Sequence, residues 1–204
     1  MAIITPDVET SMLDEQQLIK NLQTGDQSAF KLLIDQQQEK VLNTCLGFVR
    51  NQHDAEDLTQ EVFVEVYRSI ANFRKESKLS SWIYRIAVSK SLEYLRAKKR
   101  KKRFAFFQSL IGLNDQIEHI AAGESHHPGL RLEDKERAKI LFAAIDQLVE
   151  NQKVAFTLHK VEGLSYKEIA DIMEVSLSSI ESLMFRAKKN LKKRLYHYYK
   201  KNII

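Results

Sequence analysis

The stretch GLSYKEIADIMEVSLSSIESLMFRAKKNLKKR, residues 163–194, contains two helical patterns separated by a short turn. In the first pattern, residues 166–173, apolar side chains recur at the spacing of one helix face. These side chains are Ile169, Ala170 and Met173. Ser165 precedes the pattern and Glu168 follows three residues later, which is the spacing of a capping box. The stretch therefore predicts a helix that begins after Ser165.

A second helix is predicted after Val175, with Ser176 or Ser178 as its N-cap. Its inward face is predicted to carry Ile180, Leu183 and Leu191. Because Ala170 is small, the second helix can cross close over the first, as in a helix-turn-helix that inserts its second helix into the major groove of DNA. Cations suited to phosphate contacts follow on this helix: Arg186, Lys188, Lys189, Lys192, Lys193 and Arg194. The alternative is an ordinary helical hairpin with a basic exterior.

Glu174 stands at the turn position that is commonly glycine in such motifs. If its backbone is left-handed, the side chain costs about 1 kcal/mol. Packing of Met173, Val175 and Ile180 around the turn would have to offset that cost.

The composition of the chain predicts an all-α fold. Its 204 residues include only 6 Gly and 2 Pro, and 44% of them are hydrophobic. The single cysteine, Cys45, excludes an internal disulfide and suits a reducing cytoplasm, where it is expected to be a core residue. No apolar run is long enough to cross a membrane, so neither membrane insertion nor a secretory signal is expected.

The charge is unevenly distributed along the chain. The net charge is +5, but carboxylates dominate residues 1–67 and cations dominate residues 68–103 and the C-terminus. One acidic and two basic surfaces suggest two kinds of partner, one of them a polyanion.

The acidic part contains a strong helical pattern, DAEDLTQEVFVEVYRSI, residues 54–70. Its buried stripe is predicted to be Leu58, Val62, Val66 and Ile70. The opposite side carries Asp57, Gln60, Glu61 and Val64 at helical spacing. That side is either a solvated acidic face or a docking face for a partner helix.

The following loop, NFRKESKL, residues 72–79, mixes an aromatic side chain with cations and a serine. Such a loop can hold single-stranded nucleic acid, with cations on phosphates and a pocket for an unstacked base. The alternative is a polar loop with Phe73 in the core. A helix capped by Ser80 or Ser81 follows, and it ends in six consecutive basic residues, 98–103, which could continue a phosphate track.

Four further helices are predicted on either side of these segments. They cover residues 14–22, a segment capped by Asp26 or Ser28, residues 132–148 and residues 151–159. The long segment after Asp26 is predicted to bury Phe30, Leu33, Ile34, Val41, Leu42, Cys45, Leu46 and Val49. The helix 132–148 is predicted to bury Ile140, Leu141, Ala144, Ile145 and Leu148.

No enzyme signature occurs in the sequence. Glycine-rich phosphate loops, CxxC pairs, HExxH and GxSxG are all missing. His53, His126 and His127 lack the neighbours of a metal site. Asp57 and Glu61 could bind Mg²⁺, but no further carboxylate cluster supports a nuclease site. We therefore expect no catalytic activity, cofactor or metal.

The order of these segments resembles the extracytoplasmic-function sigma factors of bacteria. The stretches that resemble their second conserved region are DAEDLTQEVFVEVYRSI, FRKESKLSSWIYRIA and SLEYLRAKKRKKR. NQKVAFTLHKVEGLSYKEIADIMEVSLSSIESLMFRAKKNLKK, residues 151–193, resembles their fourth. The resemblance implies two small helical domains on a flexible linker. A loose N-terminus (1–13) would precede the region 2 domain (14–103), the linker (104–135) and the region 4 domain (136–204).

The resemblance also implies partners and contact residues. The protein would bind the β′ and β subunits of core RNA polymerase and direct them to promoter DNA, and an anti-sigma factor would hold it inactive. The polymerase-binding positions are Asp57, Gln60, Glu61 and Val64. The minus-ten positions are Phe73, Arg74, Lys75, Ser77, Lys78, Ser89, Lys90, Arg96, Lys99 and Arg100. The minus-thirty-five positions are Ser178, Ser179, Glu181, Ser182, Phe185, Arg186 and Lys189.

The sequence departs from the family pattern at four of its positions. Ser89 stands where the family often has Asn, and Val149 replaces a frequent Pro. Glu181 and Leu183 occupy positions that are often basic in relatives. A carboxylate can accept a hydrogen bond from cytosine N4, so Glu181 is still able to read a base.

Two other classes of protein fit parts of the pattern. An autonomous helix-turn-helix regulator would bind duplex DNA without polymerase, usually as a symmetric dimer. A DNA-acting enzyme that uses Asp57 and Glu61 would need a divalent metal ion.

Overall fold

The computed structural model describes residues 6–110 and 132–202, and every regular element in those two ranges is helical. The helices are α1 (Pro6–Gln23), α2 (Gln27–Val49), α3 (Gln52–Ser69), α4 (Leu79–Leu110), α5 (Leu132–Asp146), α6 (Glu150–Val161), α7 (Tyr166–Met173) and α8 (Leu177–Asn202), with a 3₁₀ turn at Ile70–Asn72. The prediction of an all-α fold is therefore confirmed for the described part of the chain.

Two helix boundaries lie seven or more residues from the predicted ones. The N-terminal helix begins at Pro6 instead of residue 14, because proline is favoured in the first turn of a helix, where its missing N–H has no partner to lose. Helix α4 continues past residue 103 to Leu110, since no Gly or Pro interrupts the sequence before Gly112. The rest of the predicted linker up to α5 lies outside the described residues.

Local capping explains where α2 and α3 begin and end. The Asp26 carboxylate accepts hydrogen bonds from the backbone N–H groups of Ser28 (2.8 Å) and Ala29 (3.3 Å), so Asp26 is the cap of α2. Arg50 ends α2 in a left-handed conformation. The Asn51 side chain accepts a hydrogen bond from the Asp54 N–H (2.9 Å) and is the N-cap of α3. Helix α3 therefore begins two residues before the predicted position.

Helices α1 to α4 enclose the first hydrophobic core. Helix α2 packs along both α3 and α4, and α3 also packs on α4. The predicted stripe of α3 is confirmed, because all four of its members are buried: Leu58, Val62, Val66 and Ile70. Cys45 is also fully buried, as expected of a core residue, and its burial raises the pKa of the thiol.

The hairpin of α7 and α8 matches its prediction closely. Ser165 and Glu168 form the capping box at the start of α7, with the Ser165 N–H 2.9 Å from the Glu168 carboxylate. Ser176 is the residue that caps α8, since its hydroxyl accepts from the Ser179 N–H at 3.3 Å. Glu174 between them is left-handed at φ 54°, so the condition under which its side chain costs about 1 kcal/mol is met.

Two predicted packing positions in this part of the chain are wrong. Leu141 is predicted to be buried but is exposed. The neighbouring Phe142 faces inward instead, and the Arg50 guanidinium lies over its ring, 4.7 Å from the ring centroid. Val175 is also exposed and cannot offset the strain at Glu174. Ile172 and Met184 are buried beneath the turn instead and take over that packing.

A second core joins the two halves of the chain. Phe48, Tyr84 and Val88, from α2 and α4, are buried in one cluster with apolar residues of α6, α7 and α8. The Tyr84 hydroxyl donates a hydrogen bond to Glu162 (3.4 Å), and burial raises the pKa of both groups. The family resemblance implies a flexible linker, which would leave the two halves of the chain independent. In the structure, the two halves instead bury apolar side chains against each other.

We expect Ser165→Ala to lower the free energy of unfolding of the α7–α8 hairpin by about 1 kcal/mol, because it leaves the first N–H groups of α7 without a cap. Thermal unfolding followed by circular dichroism measures the change. Asp171→Ala, at an exposed site in the same helix without a described ion pair, is the matched control. Equal stability of the two variants would contradict the role of the cap.

Candidate functional site

The acidic face of α3 is exposed to solvent, and its Asp57 carboxylate lies 3.4 Å from the His53 imidazole of the same helix. Asp57, Gln60, Glu61 and Val64 are all exposed, and Val64 keeps 48% of its surface accessible. Together with Glu65, Arg68 and Lys90 they line a shallow depression of about 530 Å³. The face offers carboxylate acceptors around one apolar contact, which is the chemistry needed to bind a basic, amphipathic helix.

The loop between α3 and α4 presents cations but not its aromatic ring. Phe73 is only 7% exposed, and its ring centroid lies 5.0 Å from that of Trp82. Phe73 therefore packs in the core, as the second of the two predicted alternatives states. The Phe73 ring is not free to contact DNA in this conformation. Arg74, Lys75 and Lys78 point to solvent and Ser77 is half-buried.

Lys75 has a left-handed backbone at φ 60°. A non-glycine residue in this region is strained, and such strain tends to occur in binding loops whose surroundings hold the chain in place. Here the Leu79 N–H donates to Glu15 of α1 (3.1 Å), and Gln23 donates to the Phe73 carbonyl (3.0 Å), which fixes both ends of the loop. The cations of the loop are thus displayed on a restrained backbone.

The polar positions of α4 fall into two groups. Ser89, Lys99 and Arg100 are exposed, and the Ser89 hydroxyl donates only to Glu93 of its own helix (3.2 Å). Lys90 lies 3.5 Å from Glu65, and Arg96 donates to Glu150 of α6 (Nε to Oε2, 3.2 Å). Two of the predicted DNA contacts are therefore already engaged by carboxylates of this chain.

The outer face of α8 is an exposed stripe of five polar residues and one aromatic residue. Ser178, Glu181, Ser182, Phe185, Arg186 and Lys189 are exposed. Phe185 keeps 68% of its surface accessible, so its ring is available for a contact. The opposite face packs Ile180, Met184 and Ala187 into the core. Ser179 is half-buried and its hydroxyl lies 2.8 Å from that of Ser176, so it supports the turn.

Sequence reasoning missed one cation that belongs with these groups. Arg85 of α4 forms an ion pair with Glu174, the left-handed residue of the α7–α8 turn. The sequence signal for this ion pair is that an acidic residue, Glu174, stands at a turn position that is usually glycine. Among the side chains that the structure describes, no cluster could hold a metal ion, and no described helix is long and apolar enough to span a membrane.

Comparison with known proteins places two family patterns on the chain. The pattern of Sigma-70 region 2 matches residues 33–101, which cover most of α2, all of α3 and most of α4. The pattern of Sigma-70, region 4 matches residues 138–191, from α5 into α8. All three sets of candidate contact residues, for polymerase, the minus-ten element and the minus-thirty-five element, fall inside these matches.

Similar full-length proteins carry related names. An RNA polymerase sigma-H factor of Pseudomonas aeruginosa is 33% identical over 188 residues, covering 89% of this chain and 93% of that protein. An ECF RNA polymerase sigma-E factor of Haemophilus influenzae is 35% identical over 193 residues, covering 90% of this chain and 96% of its own length. The corresponding sigma-E factor of Escherichia coli K12 is 34% identical over 179 residues, with 88% and 93% covered.

Two solved structures share the fold. CnrH, in complex with the cytosolic domain of CnrY, aligns over 90% of this chain and 97% of its own with a TM-score of 0.62 and 18% identity. RpoE from Bartonella quintana, in complex with the anti-sigma factor NepR, aligns over 82% and 96% with a TM-score of 0.53 and 22% identity. At these identities the likeness concerns the helical architecture alone.

Proposed function

The chain belongs to the extracytoplasmic-function family of RNA polymerase sigma factors, and from that membership we propose how its surfaces are used. It binds core RNA polymerase and directs promoter recognition and the initiation of transcription. We call α1–α4 the region 2 module and α5–α8 the region 4 module. The observation that carries the proposal is that one chain exposes an acidic helix face on one module and a recognition-helix stripe on the other.

The acidic face of α3 is proposed to dock on the β′ subunit of the polymerase. The carboxylates of Asp57 and Glu61 and the amide of Gln60 would pair with basic and polar groups, and Val64 would supply the apolar contact. All four are exposed on one helix face, and α3 is anchored behind them by its buried stripe. The partner therefore meets a rigid surface, which keeps the ordering cost of association low.

The loop after α3 and the exposed side of α4 are proposed to bind the minus-ten element once its strands separate. Arg74, Lys75 and Lys78 of the restrained loop would contact phosphates next to a captured base. Ser89, Lys99 and Arg100 would continue the contacts along α4. Phe73 supports the loop from below through Trp82, so its effect on DNA would be indirect. Capture of an unstacked base offsets part of the cost of opening the duplex.

Helix α8 is proposed to read the minus-thirty-five element in the major groove. Arg186 can bind guanine, and Phe185 can contact a thymine methyl group. Glu181 at the start of the stripe can accept a hydrogen bond from cytosine N4 and would disfavour guanine or a phosphate nearby. Ser178, Ser182 and Lys189 would position the helix on the backbone.

We expect Arg186→Ala to weaken binding to the upstream element by about 1–3 kcal/mol, with the loss concentrated at one base position, because a bidentate base contact would be removed. Footprinting of the polymerase holoenzyme across a salt series measures it. Lys160→Ala removes an exposed cation of α6 away from the stripe and serves as the control. A uniform loss across all sequences would indicate a phosphate contact instead.

The proposed function is tested by transcription with core polymerase, with and without the purified chain, on a library of promoters. New start sites that depend on the chain are expected. Tight binding to duplex DNA without polymerase, and no new start sites, would favour the autonomous regulator. DNA cleavage that requires a divalent metal ion would favour an enzyme.

We propose further that the protein acts in the cytoplasm, has no catalytic activity of its own and is controlled by an anti-sigma factor. The polymerase supplies the chemistry of RNA synthesis, so the chain needs only binding surfaces. The solved structure of RpoE from Bartonella quintana contains the anti-sigma factor NepR, and that of CnrH contains the cytosolic domain of CnrY, which supports the last point. Co-purification of the chain from its native host would identify that partner.

A further inference from the structure

A cavity of about 740 Å³ lies between α5 and α8 in the region 4 module. Its volume falls within the range of about 300–1,000 Å³ that is usual for small-molecule sites. Helix α8 lines it from Asn190 onwards, directly after Lys189, the last proposed contact to the minus-thirty-five element. The residues proposed to contact polymerase or DNA do not line this cavity, so it needs an explanation of its own.

Three cations line the cavity, and none of its described lining residues is acidic. Lys139 belongs to α5, whereas Lys193 and Arg194 belong to α8. The cavity between α1, α2 and α4 is instead lined by two carboxylates and one lysine, and the depression on α3 by three carboxylates and two cations. Of these three cavities, the one between α5 and α8 is thus the one suited to a ligand with several negative charges.

The Arg194 guanidinium is held in place by a neutral partner. Its Nη2 atom donates a hydrogen bond to the Gln147 backbone carbonyl (3.1 Å), and its Nη1 atom donates to the Gln147 side-chain oxygen. Gln147 carries no charge, so these bonds orient the guanidinium without neutralising it. An arginine that is already oriented loses less side-chain freedom on binding, and its planar group suits the oxygens of a phosphate.

Most of the α5 wall between these polar groups is apolar. Ile140, Ala143 and Ala144 line it, and Leu195 adds an apolar side chain from α8. The two alanines are small, so they leave room for a flat ring to lie against the helix. Such a ring would remove apolar surface from water, which inorganic phosphate could not do.

An oriented amide completes the lining of the cavity. The Asn190 Nδ2 atom donates a hydrogen bond to Gln152 Oε1 (3.0 Å), which fixes the orientation of the Asn190 amide. Within the described part of the chain, no donor contacts the Asn190 carbonyl oxygen. An amide presents a donor and an acceptor side by side, which is the arrangement that binds the edge of a nucleobase.

The dimensions of the cavity favour a compact ligand over a protein helix. On α5 it extends from Lys139 to Gln147, or about 12 Å at about 1.5 Å per residue. Nine described residues line it, whereas a stable protein interface takes about 20–30 residues from each partner. The cavity therefore has the size of a small-molecule site with cations at its edge.

We propose that the cavity between α5 and α8 binds a nucleotide that carries two or more phosphates. The phosphates would contact Lys139, Lys193 and Arg194. The base would lie against the alanines of α5, with the Asn190 amide at its edge. Because such a ligand touches both helices, it would hold α5 against the C-terminal half of α8. The proposal concerns the free chain and does not depend on the proposed function.

Calorimetric titration of the full chain, without polymerase, tests the site with ATP and GTP. Tripolyphosphate probes the cations alone, and adenosine probes the apolar wall alone. We expect at least one of the two nucleotides to bind more tightly than either of these partial ligands, because it makes both sets of contacts. The midpoint of thermal unfolding should rise with the concentration of that nucleotide, since a ligand of the folded state stabilises it by mass action.

Two substitutions on α8 test the cations. Lys193→Gln and Arg194→Gln are each expected to weaken nucleotide binding by about 10- to 150-fold, because each removes a hydrogen bond to a charged group. Lys192→Gln is the matched control, since Lys192 is exposed on the same helix and does not line the cavity. It removes the same charge and is expected to bind the nucleotide as the wild type does.

Ala143→Leu tests the apolar wall without changing any charge. Ala143 is exposed and leucine is also a strong helix former, so α5 should fold as before. The larger side chain would occupy the space proposed for the base. Nucleotide binding should therefore fall to the level of tripolyphosphate, whose own binding should be unchanged.

Circular dichroism establishes that each variant is folded, and the outcomes then separate the explanations. Failure of both ATP and GTP to bind the wild type refutes the proposal, and binding of a polyglutamate peptide in their place would assign the cavity to acidic proteins. Equal losses in Lys192→Gln and Lys193→Gln would show a general attraction of anions instead of a site. Undiminished nucleotide binding by Ala143→Leu would place the ligand elsewhere. A wild type that binds nucleotide but starts no transcription would refute only the proposed function.

Discussion

Replacing Asp57 and Gln60 together with alanine is expected to weaken binding to core RNA polymerase by about 100-fold, as two interface side chains worth about 1.4 kcal/mol each would do. The fold should not change, because both side chains are exposed on the outer face of α3 while the buried stripe is untouched. A pull-down or a titration with labelled core enzyme measures the loss.

The control for this variant lies on the same helix. Glu56 is exposed and pairs only with Gln52 of its own helix (2.7 Å), outside the depression lined by Asp57 and Gln60. Glu56→Ala changes the net charge by one without touching the proposed docking face. If the double variant is folded and binds as tightly as Glu56→Ala, the assignment of the acidic face to the polymerase is wrong.

Ile180→Ala is expected to lower the free energy of unfolding by about 2–5 kcal/mol, the usual cost of truncating a fully buried branched side chain. Ile180 is 0% exposed at the crossing of α7 and α8, where it supports the recognition helix. Because small proteins are stable by only about 5–15 kcal/mol, this is a large fraction of the total. Denaturant unfolding and hydrogen exchange of the α8 amides measure it.

Val175→Ala provides the comparison at the same turn. Val175 is exposed, so its truncation removes little buried surface and is expected to cost under about 1 kcal/mol. Binding to the upstream element should fall with Ile180→Ala and be kept with Val175→Ala. Equal losses of stability in the two variants would show that α8 is not held by packing at this crossing.

Much of the candidate site could be foreseen because it depends on short-range order. A helix repeats its faces every three to four residues, so the buried stripe of α3 also defined which side chains would lie opposite. The same reasoning found the exposed stripe of α8. It failed for Phe73, because composition alone could not decide whether an aromatic residue beside cations faces a base or packs against Trp82.

The sequence also concealed the engagement of the cations on α4. No pattern in the sequence connects Arg85 or Arg96 to a partner, whereas both pair with carboxylates from the other half of the chain. Their partners are Glu174 and Glu150, which no spacing rule connects to α4. The functional state of a basic surface therefore depends on how the two modules meet.

By itself, the sequence determined the helices and the capping box of Ser165 and Glu168, because each depends on residues within one or two helical turns. Only the tertiary structure decided that Phe48, Tyr84 and Val88 form a second core. Phe48 lies off the predicted inward face of α2, and the partners of all three residues come from distant helices. Burial of a side chain is a property of what packs against it, and periodicity along one helix does not contain that information.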